Sequence, residues 1–141
     1  MTNKIIMDEY LVPNSSFNRL MSEYEKYGSL CIGFDFDGTV HDYHKTGASY
    51  EQVRQLIRDL KSINCRIICW TAYEDLTYVE NFLNENNIPF DGINTDGIPL
   101  NWTSRKPFFS ALLDDRSGLL QVYTELSLLV KLIKEKEERI Y

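Results

Sequence analysis

The sequence has no apolar run approaching the roughly 20 residues of a membrane span, and Met1 to Val12 lacks the apolar core and small-residue cleavage site of a signal peptide. A membrane-spanning or exported chain is therefore not expected, and the expected location is cytoplasmic. Cysteine is scarce. Cys31, Cys65 and Cys69 are odd in number and lack the close pairing of a zinc module, so they read as small buried apolar residues in a reducing compartment. Positive charge is also in short supply: 15 Lys and Arg against 21 Asp and Glu leave a net charge of −6. That balance disfavours nucleic acid or an anionic membrane as a general partner, although a local basic patch remains open. Internal repeats and low-complexity segments are absent, and 141 residues suit one domain with a sizeable core, spanning 1–141.

What is present is organised around Leu30-Cys31-Ile32-Gly33-Phe34-Asp35-Phe36-Asp37-Gly38-Thr39-Val40, an apolar run that ends in two carboxylates. A run rich in β-formers and closed by glycine predicts a buried parallel strand that delivers Asp35 and Asp37 to its carboxyl end. Residues two apart on a strand point the same way, so extended backbone through Asp37 would aim both carboxylates into one small volume. Two unit charges about 4 Å apart repel by about 4 kcal/mol at an effective dielectric of about 20, which calls for a cation there. The alternative is plainer: Asp35 as a cap and Asp37-Gly38 as a tight turn.

Before this strand, Pro13-Asn14-Ser15-Ser16 followed by Phe17, Leu20, Met21, Tyr24 and Tyr27 predicts a capped amphipathic helix over about 14–28. After it, Thr39 to Gly47 has neither helical nor strand period and reads as a loop. His41 and His44, three apart in that loop, lack partners at metal-ligand spacing and are expected to be solvated residues or weak substrate contacts. Val53, Leu56, Ile57 and Leu60 then recur at helical spacing, and Arg66 to Thr71 predicts a second buried strand. A crossover through the intervening helix makes the two strands parallel and brings Thr71 beside Asp35. A strand-terminal threonine is also an ordinary β-former or helix cap.

Asp75 is placed to cap a helix with Leu76, Val79, Phe82 and Leu83 in its buried stripe, and Phe90 to Ile93 predicts a short strand or turn. Asn94 to Arg105 reads as an irregular surface loop packed down by Trp102. Phe108 to Leu113 predicts a further strand running into Asp114-Asp115-Arg116. A long helix starts at Ser117, with Leu120, Tyr123, Leu126, Leu129, Val130 and Ile133 on the sheet and a fraying charged end over Lys131 to Arg139.

The segment Asp35-Phe36-Asp37-Gly38-Thr39-Val40 resembles the first motif of the haloacid dehalogenase-like (HAD) phosphohydrolases. Thr71 matches the second motif, Lys106 before Pro107 the third, and Asp114-Asp115 after a buried strand the fourth. The four occur in order over a core of about 30–126, in the manner of capless, phage-like members with Lys-Pro before the last strand and Asp-Asp-Arg after it. The resemblance implies a three-layer α/β/α sandwich around a mainly parallel Rossmann-like sheet, without a substantial cap domain. It further implies a Mg²⁺-dependent phosphatase acting on a phosphorylated small molecule. Asp35 would be the nucleophile that becomes an aspartyl-phosphate, and Asp37 the acid and base. Asp35, the main-chain carbonyl of Asp37 and one of Asp114 or Asp115 would hold Mg²⁺, while Thr71 and Lys106 would bind the phosphoryl oxygens. A phosphotransferase, a nucleic-acid-end phosphatase and a non-catalytic phospholigand-binding protein are the alternatives. The leaving group and oligomeric state are not legible.

Overall fold

The computed structural model describes residues 6–95 and 107–139. Four parallel strands, β1 (Cys31–Phe34), β2 (Arg66–Cys69), β3 (Gly92–Ile93) and β4 (Ala111–Leu113), form one sheet in the order β3-β2-β1-β4. Helices α1 (Ser15–Tyr27), α2 (Glu51–Ser62), α3 (Leu76–Glu85) and α4 (Leu119–Arg139) surround it. The architecture is an α/β Rossmann-like sandwich without a large cap. No helix among the described residues is long and apolar enough to cross a membrane.

The register explains why the strand ends meet. Phe34 pairs with Cys69 on one side and with Leu113 on the other. The next hydrogen bonds in each ladder run from Trp70 N–H to Phe34 O at 2.8 Å and from Asp35 N–H to Leu113 O at 2.8 Å. The chain therefore leaves the sheet at Asp35, Thr71 and Asp114 along one edge, as expected where parallel strands end together.

One face of the sheet carries Ile32, Phe34, Ile67 and Cys69 into the main core, where they meet Leu20, Leu56, Ile57, Leu60, Val79, Leu83, Leu126 and Leu129 from the helices. These strands are buried on nearly every residue, which is why they read as continuous apolar runs rather than as alternating ones. The other face is tighter at Gly33. A Cβ built there would stand 3.0 Å from Leu112 Cδ1 and 3.0 Å from Phe109 Cδ1, so the absence of a side chain is what lets this segment close on β1.

Several expected boundaries move. β1 stops at Phe34 and β4 begins only at Ala111, although main-chain hydrogen bonds run past both ends, from Ser110 N–H to Cys31 O at 2.7 Å and from Asp35 N–H to Leu113 O at 2.8 Å. The left-handed Asn14 makes no side-chain cap bond. Three stripe positions face water instead of core: Tyr27 (67 % exposed), Leu76 (42 %) and Leu120 (79 %), each within one turn of a helix end, where the sheet no longer lies beneath. The charged segment from Lys131 onward stays helical to Arg139. All three cysteines are free and buried, as read from the sequence, and burial pushes the Cys69 thiol up to about 12.

Replacing Gly33 by Val is expected to destabilise the fold by about 1–3 kcal/mol through overpacking against Leu112 and Phe109. Urea denaturation would register this as a lower midpoint at unchanged slope, and an unchanged midpoint would contradict the close approach.

Candidate functional site

The turn after β1 decides the site. Beyond Phe34 the backbone does not stay extended through Asp37. Phe36 is fully buried, and its carbonyl accepts hydrogen bonds from Val40 N–H at 3.1 Å and His41 N–H at 3.0 Å. Gly38 adopts φ +78°, and a Cβ there would stand 2.9 Å from Asp115 Oδ2, so two constraints favour glycine at this position. Asp35 and Asp37 thus reach a common cleft through a turn and not through strand alternation.

Asp35 is shared by two environments. On one side, oxygens of Asp35, Asp114 and Asp115 all lie within 4.8 Å of one another. On the other, Asp35 lines an open cleft of about 540 Å³ together with Asp37, Tyr43, Thr71, Ala72, Tyr73, Glu74 and Asp75. Four carboxylates border that cleft and, among the described residues lining it, there is neither lysine nor arginine. Lys106, the expected cation, lies outside the described residues, as does Trp102.

The electrostatic consequence falls on Asp35. Its pKa is pushed up to about 7, first by burial, then by a hydrogen bond with the Asp115 carboxyl and by the neighbouring charges of Asp114 and Asp115; the Phe36 backbone N–H opposes the rise. Thr39, fully buried, ties this corner together: its hydroxyl lies 3.4 Å from Asp35 Oδ2 and accepts from Asp115 N–H at 3.1 Å. An oxygen-only cluster of three carboxylates with uncompensated repulsion has the donor chemistry of a hard divalent cation such as Mg²⁺ or Ca²⁺. The residues present fit such an ion.

Thr71 sits at the end of β2 facing the same cleft. Its Oγ1 accepts from Tyr73 N–H at 3.0 Å, which fixes the hydroxyl and leaves its proton for another acceptor. Asn94, with φ 53°, clamps the Thr71 backbone on both sides: its Oδ1 accepts from Thr71 N–H and its Nδ2 donates to Thr71 O, each at 2.8 Å. Asp75 caps α3 by accepting from Tyr78 N–H at 3.1 Å, as its position suggested.

One expectation is corrected. His41 is not a solvated loop residue. Its side chain is 14 % exposed, and Nδ1 lies 2.8 Å from Asp37 Oδ1. The signal was the four-residue spacing from Asp37, which is informative only once a turn rather than a strand follows Asp35. His44 is exposed and stands edge-on to Tyr43. Thr39 and Asn94 were also missed as site-forming residues, since Asn94 holds the Thr71 backbone and Thr39 links the Asp35 carboxylate to the Asp115 backbone.

Compared with known proteins, the chain matches no family model and no curated protein. A solved structure, that of a conserved protein coded by a locus from Bacteroides thetaiotaomicron, is similar at 25% identity over 77% of this chain and 92% of that chain, with a TM-score of 0.57. The similarity agrees with the α/β fold described above.

A raised carboxyl pKa means the native state holds a proton that the unfolded chain has lost. Between about pH 4 and pH 7 the metal-free protein therefore loses stability as pH rises. Asp35→Asn keeps the volume and removes the charge. Solvent access screens the repulsion, so the expected gain is about 1–2 kcal/mol above pH 7, vanishing near pH 4. Thermal melts in chelator across this range would test it, and a gain independent of pH would contradict the burial of a repelled charge at Asp35.

Proposed function

We propose that this chain is a Mg²⁺-dependent phosphatase of the HAD-like type, without a cap, that hydrolyses a phosphorylated small molecule through an aspartyl-phosphate on Asp35. The observation that carries this reading is the double position of Asp35, at once a member of the carboxylate cluster with Asp114 and Asp115 and a wall of the cleft that holds Asp37 and Thr71. A nucleophile must touch both the cation that tames its charge and the space where an ester phosphorus would sit. The order of the four motifs supports the same assignment.

Asp35, the main-chain carbonyl of Asp37 and Asp114 or Asp115 would hold Mg²⁺. When bound, the ion would supply the positive charge that offsets these carboxylates and makes the cleft compatible with an anionic phosphate. An Asp35 oxygen attacks phosphorus, forming the Asp35 O–P bond as the P–O bond to the substrate alcohol breaks. Asp37 passes its proton to the departing oxygen. In the second half, Asp37 takes a proton from water as the water oxygen bonds to phosphorus and the Asp35 O–P bond breaks, releasing phosphate and restoring both carboxyl groups. The Thr71 hydroxyl, already turned by Tyr73 N–H, donates to a transferring phosphoryl oxygen, and Lys106 is assigned the role of a further phosphoryl-oxygen ligand by its place in the motif order.

The absence of a large cap leaves the cleft open, so selection of the leaving group falls to side chains around its rim such as Tyr43, Tyr73 and Glu74. Hydrolysis rather than transfer is the reading that access favours, because water reaches the phosphoenzyme freely. Measuring phosphate release with and without an added alcohol acceptor distinguishes the two.

Wild-type protein with Mg²⁺ is expected to release phosphate from members of a metabolite ester panel, and chelation is expected to abolish the activity. Asp35→Asn should lower turnover by roughly a thousandfold or more while the protein remains folded by circular dichroism. Near-normal turnover in Asp35→Asn, with mass spectrometry excluding deamidation to aspartate, would overturn the covalent scheme.

A further inference from the structure

The side chain of His41 lies in an aromatic enclosure that a loop histidine does not need. It stacks on Phe36 with ring centroids 4.6 Å apart and 13° between planes, and Phe82 meets it edge-on at 4.8 Å. Its two nitrogens are both engaged: Nδ1 with Asp37 Oδ1 at 2.8 Å, and Nε2 with the Tyr78 hydroxyl at 3.1 Å. The backbone beneath is held as well. Gly38 N–H donates to His41 O at 3.0 Å, and Arg54 donates to Val40 O from Nε at 3.0 Å and Nη2 at 2.8 Å, with its guanidinium over the Phe82 ring at 5.4 Å. Simple loop anchoring would use the ring's faces and the backbone. It would not require both nitrogens to be matched, one of them to the carboxyl assigned to proton transfer.

We propose that His41 is a positioning residue for Asp37, orienting its carboxyl so that Oδ2 is the atom that exchanges protons with the substrate. This rests on the phosphatase reading and adds to it the component that sets the direction of the acid. In this arrangement the donors run one way: Asp37 Oδ1 accepts from the ring as its Nδ1–H tautomer, and the bare Nε2 accepts from Tyr78 O–H. With Oδ1 occupied by the Nδ1–H donor, Oδ2 is the oxygen left free to exchange protons with the substrate. When a proton moves from Oδ2 to the departing alkoxide oxygen, the negative charge left on Asp37 is met by the Nδ1–H already pointing at it. The reverse transfer, from water to Oδ2, uses the same geometry. No net proton enters or leaves the imidazole.

The test compares His41→Leu, which keeps an apolar group between Phe36 and Phe82 but removes the donor, with His41→Asn, whose amide nitrogen can occupy the place of Nδ1. First-turnover rates are measured with Mg²⁺ on an alkyl phosphate and on an activated aryl phosphate, whose leaving group needs little protonation. His41→Leu is expected to slow alkyl ester cleavage about 10- to 100-fold and the aryl burst by less than about threefold, and His41→Asn is expected to recover most of the alkyl rate. A merely structural His41 would slow both esters alike, and that outcome overturns the proposal. Nitrogen-15 spectra of the wild-type ring supply a second readout: a protonated Nδ1 whose signal shifts in Asp37→Asn is expected, and an Nε2–H tautomer with bare Nδ1 overturns the proposal whatever the kinetics. The two readings fail separately. Wild-type protein inactive on every ester removes the phosphatase and this role together, whereas active protein with equal losses on both esters removes only the role of His41.

Discussion

Three carboxylates meeting where no basic side chain of the described cleft walls answers them is the constraint on which the rest of this structure depends. Asp35, Asp114 and Asp115 come within 4.8 Å because β1 and β4 are paired in register and end together, not because any of them attracts the others. The sheet, packed against the helices and drawn tight between β1 and β4 where Leu112 and Phe109 lie over Gly33, imposes the proximity. Thr39 and Gly38 then refine it. The threonine hydroxyl bridges Asp35 and the Asp115 backbone, and the missing Cβ of Gly38 leaves room for the Asp115 carboxylate. Hydrophobic burial elsewhere in the core must offset this local repulsion, which is the usual relation between a stable scaffold and a strained site.

The cleft extends the same logic. Asp37, Glu74 and Asp75 add charge of the same sign, so an anionic ligand needs a cation to precede or accompany it. Asp75 is partly committed to capping α3 and Asp37 to His41, while Asp35 is held by the Thr39 hydroxyl and the Asp115 carboxyl. Tyr73 and Tyr78, stacked at 5.4 Å, join the cleft wall to the aromatic packing around Phe36.

Much of the site was legible because parallel buried strands announce themselves as apolar runs, and the residue at which the chain leaves each strand must lie at one shared edge. Asp35, Thr71 and Asp114 could be brought together by that rule alone, and so could the mainly parallel α/β architecture, with the short strand at Gly92–Ile93 readable only as strand or turn. The rule cannot supply the path of the chain once it has left the sheet. Alternation along β1 suggested that Asp37 points with Asp35, yet β1 ends at Phe34 and a turn around the buried Phe36 carries Asp37 to the cleft. The same turn buries His41, whose environment is made by Phe82 and Tyr78 from α3, residues 37 to 41 positions away that no local pattern links to it. Thr39 and Asn94 escaped notice for a related reason: Asn94 holds the Thr71 backbone and Thr39 links the Asp35 carboxylate to the Asp115 backbone, contacts that depend on geometry rather than on residue type. Leu76 and Leu120 fit a helical period but lie where the helix has run past the sheet, and periodicity does not register where a partner surface stops.

The central claim is that the three carboxylates form one divalent-cation site with Asp35 at its boundary with the cleft. Crystals grown with Mn²⁺ in place of Mg²⁺ would test it most directly, because anomalous scattering locates the ion independently of the refined protein. The expected result is a single strong peak bonded to oxygens of Asp35 and of Asp114 or Asp115, with a coordination position open toward Thr71. A peak that leaves Asp35 uncoordinated, or no peak at this edge of the sheet at saturating Mn²⁺, would contradict the account.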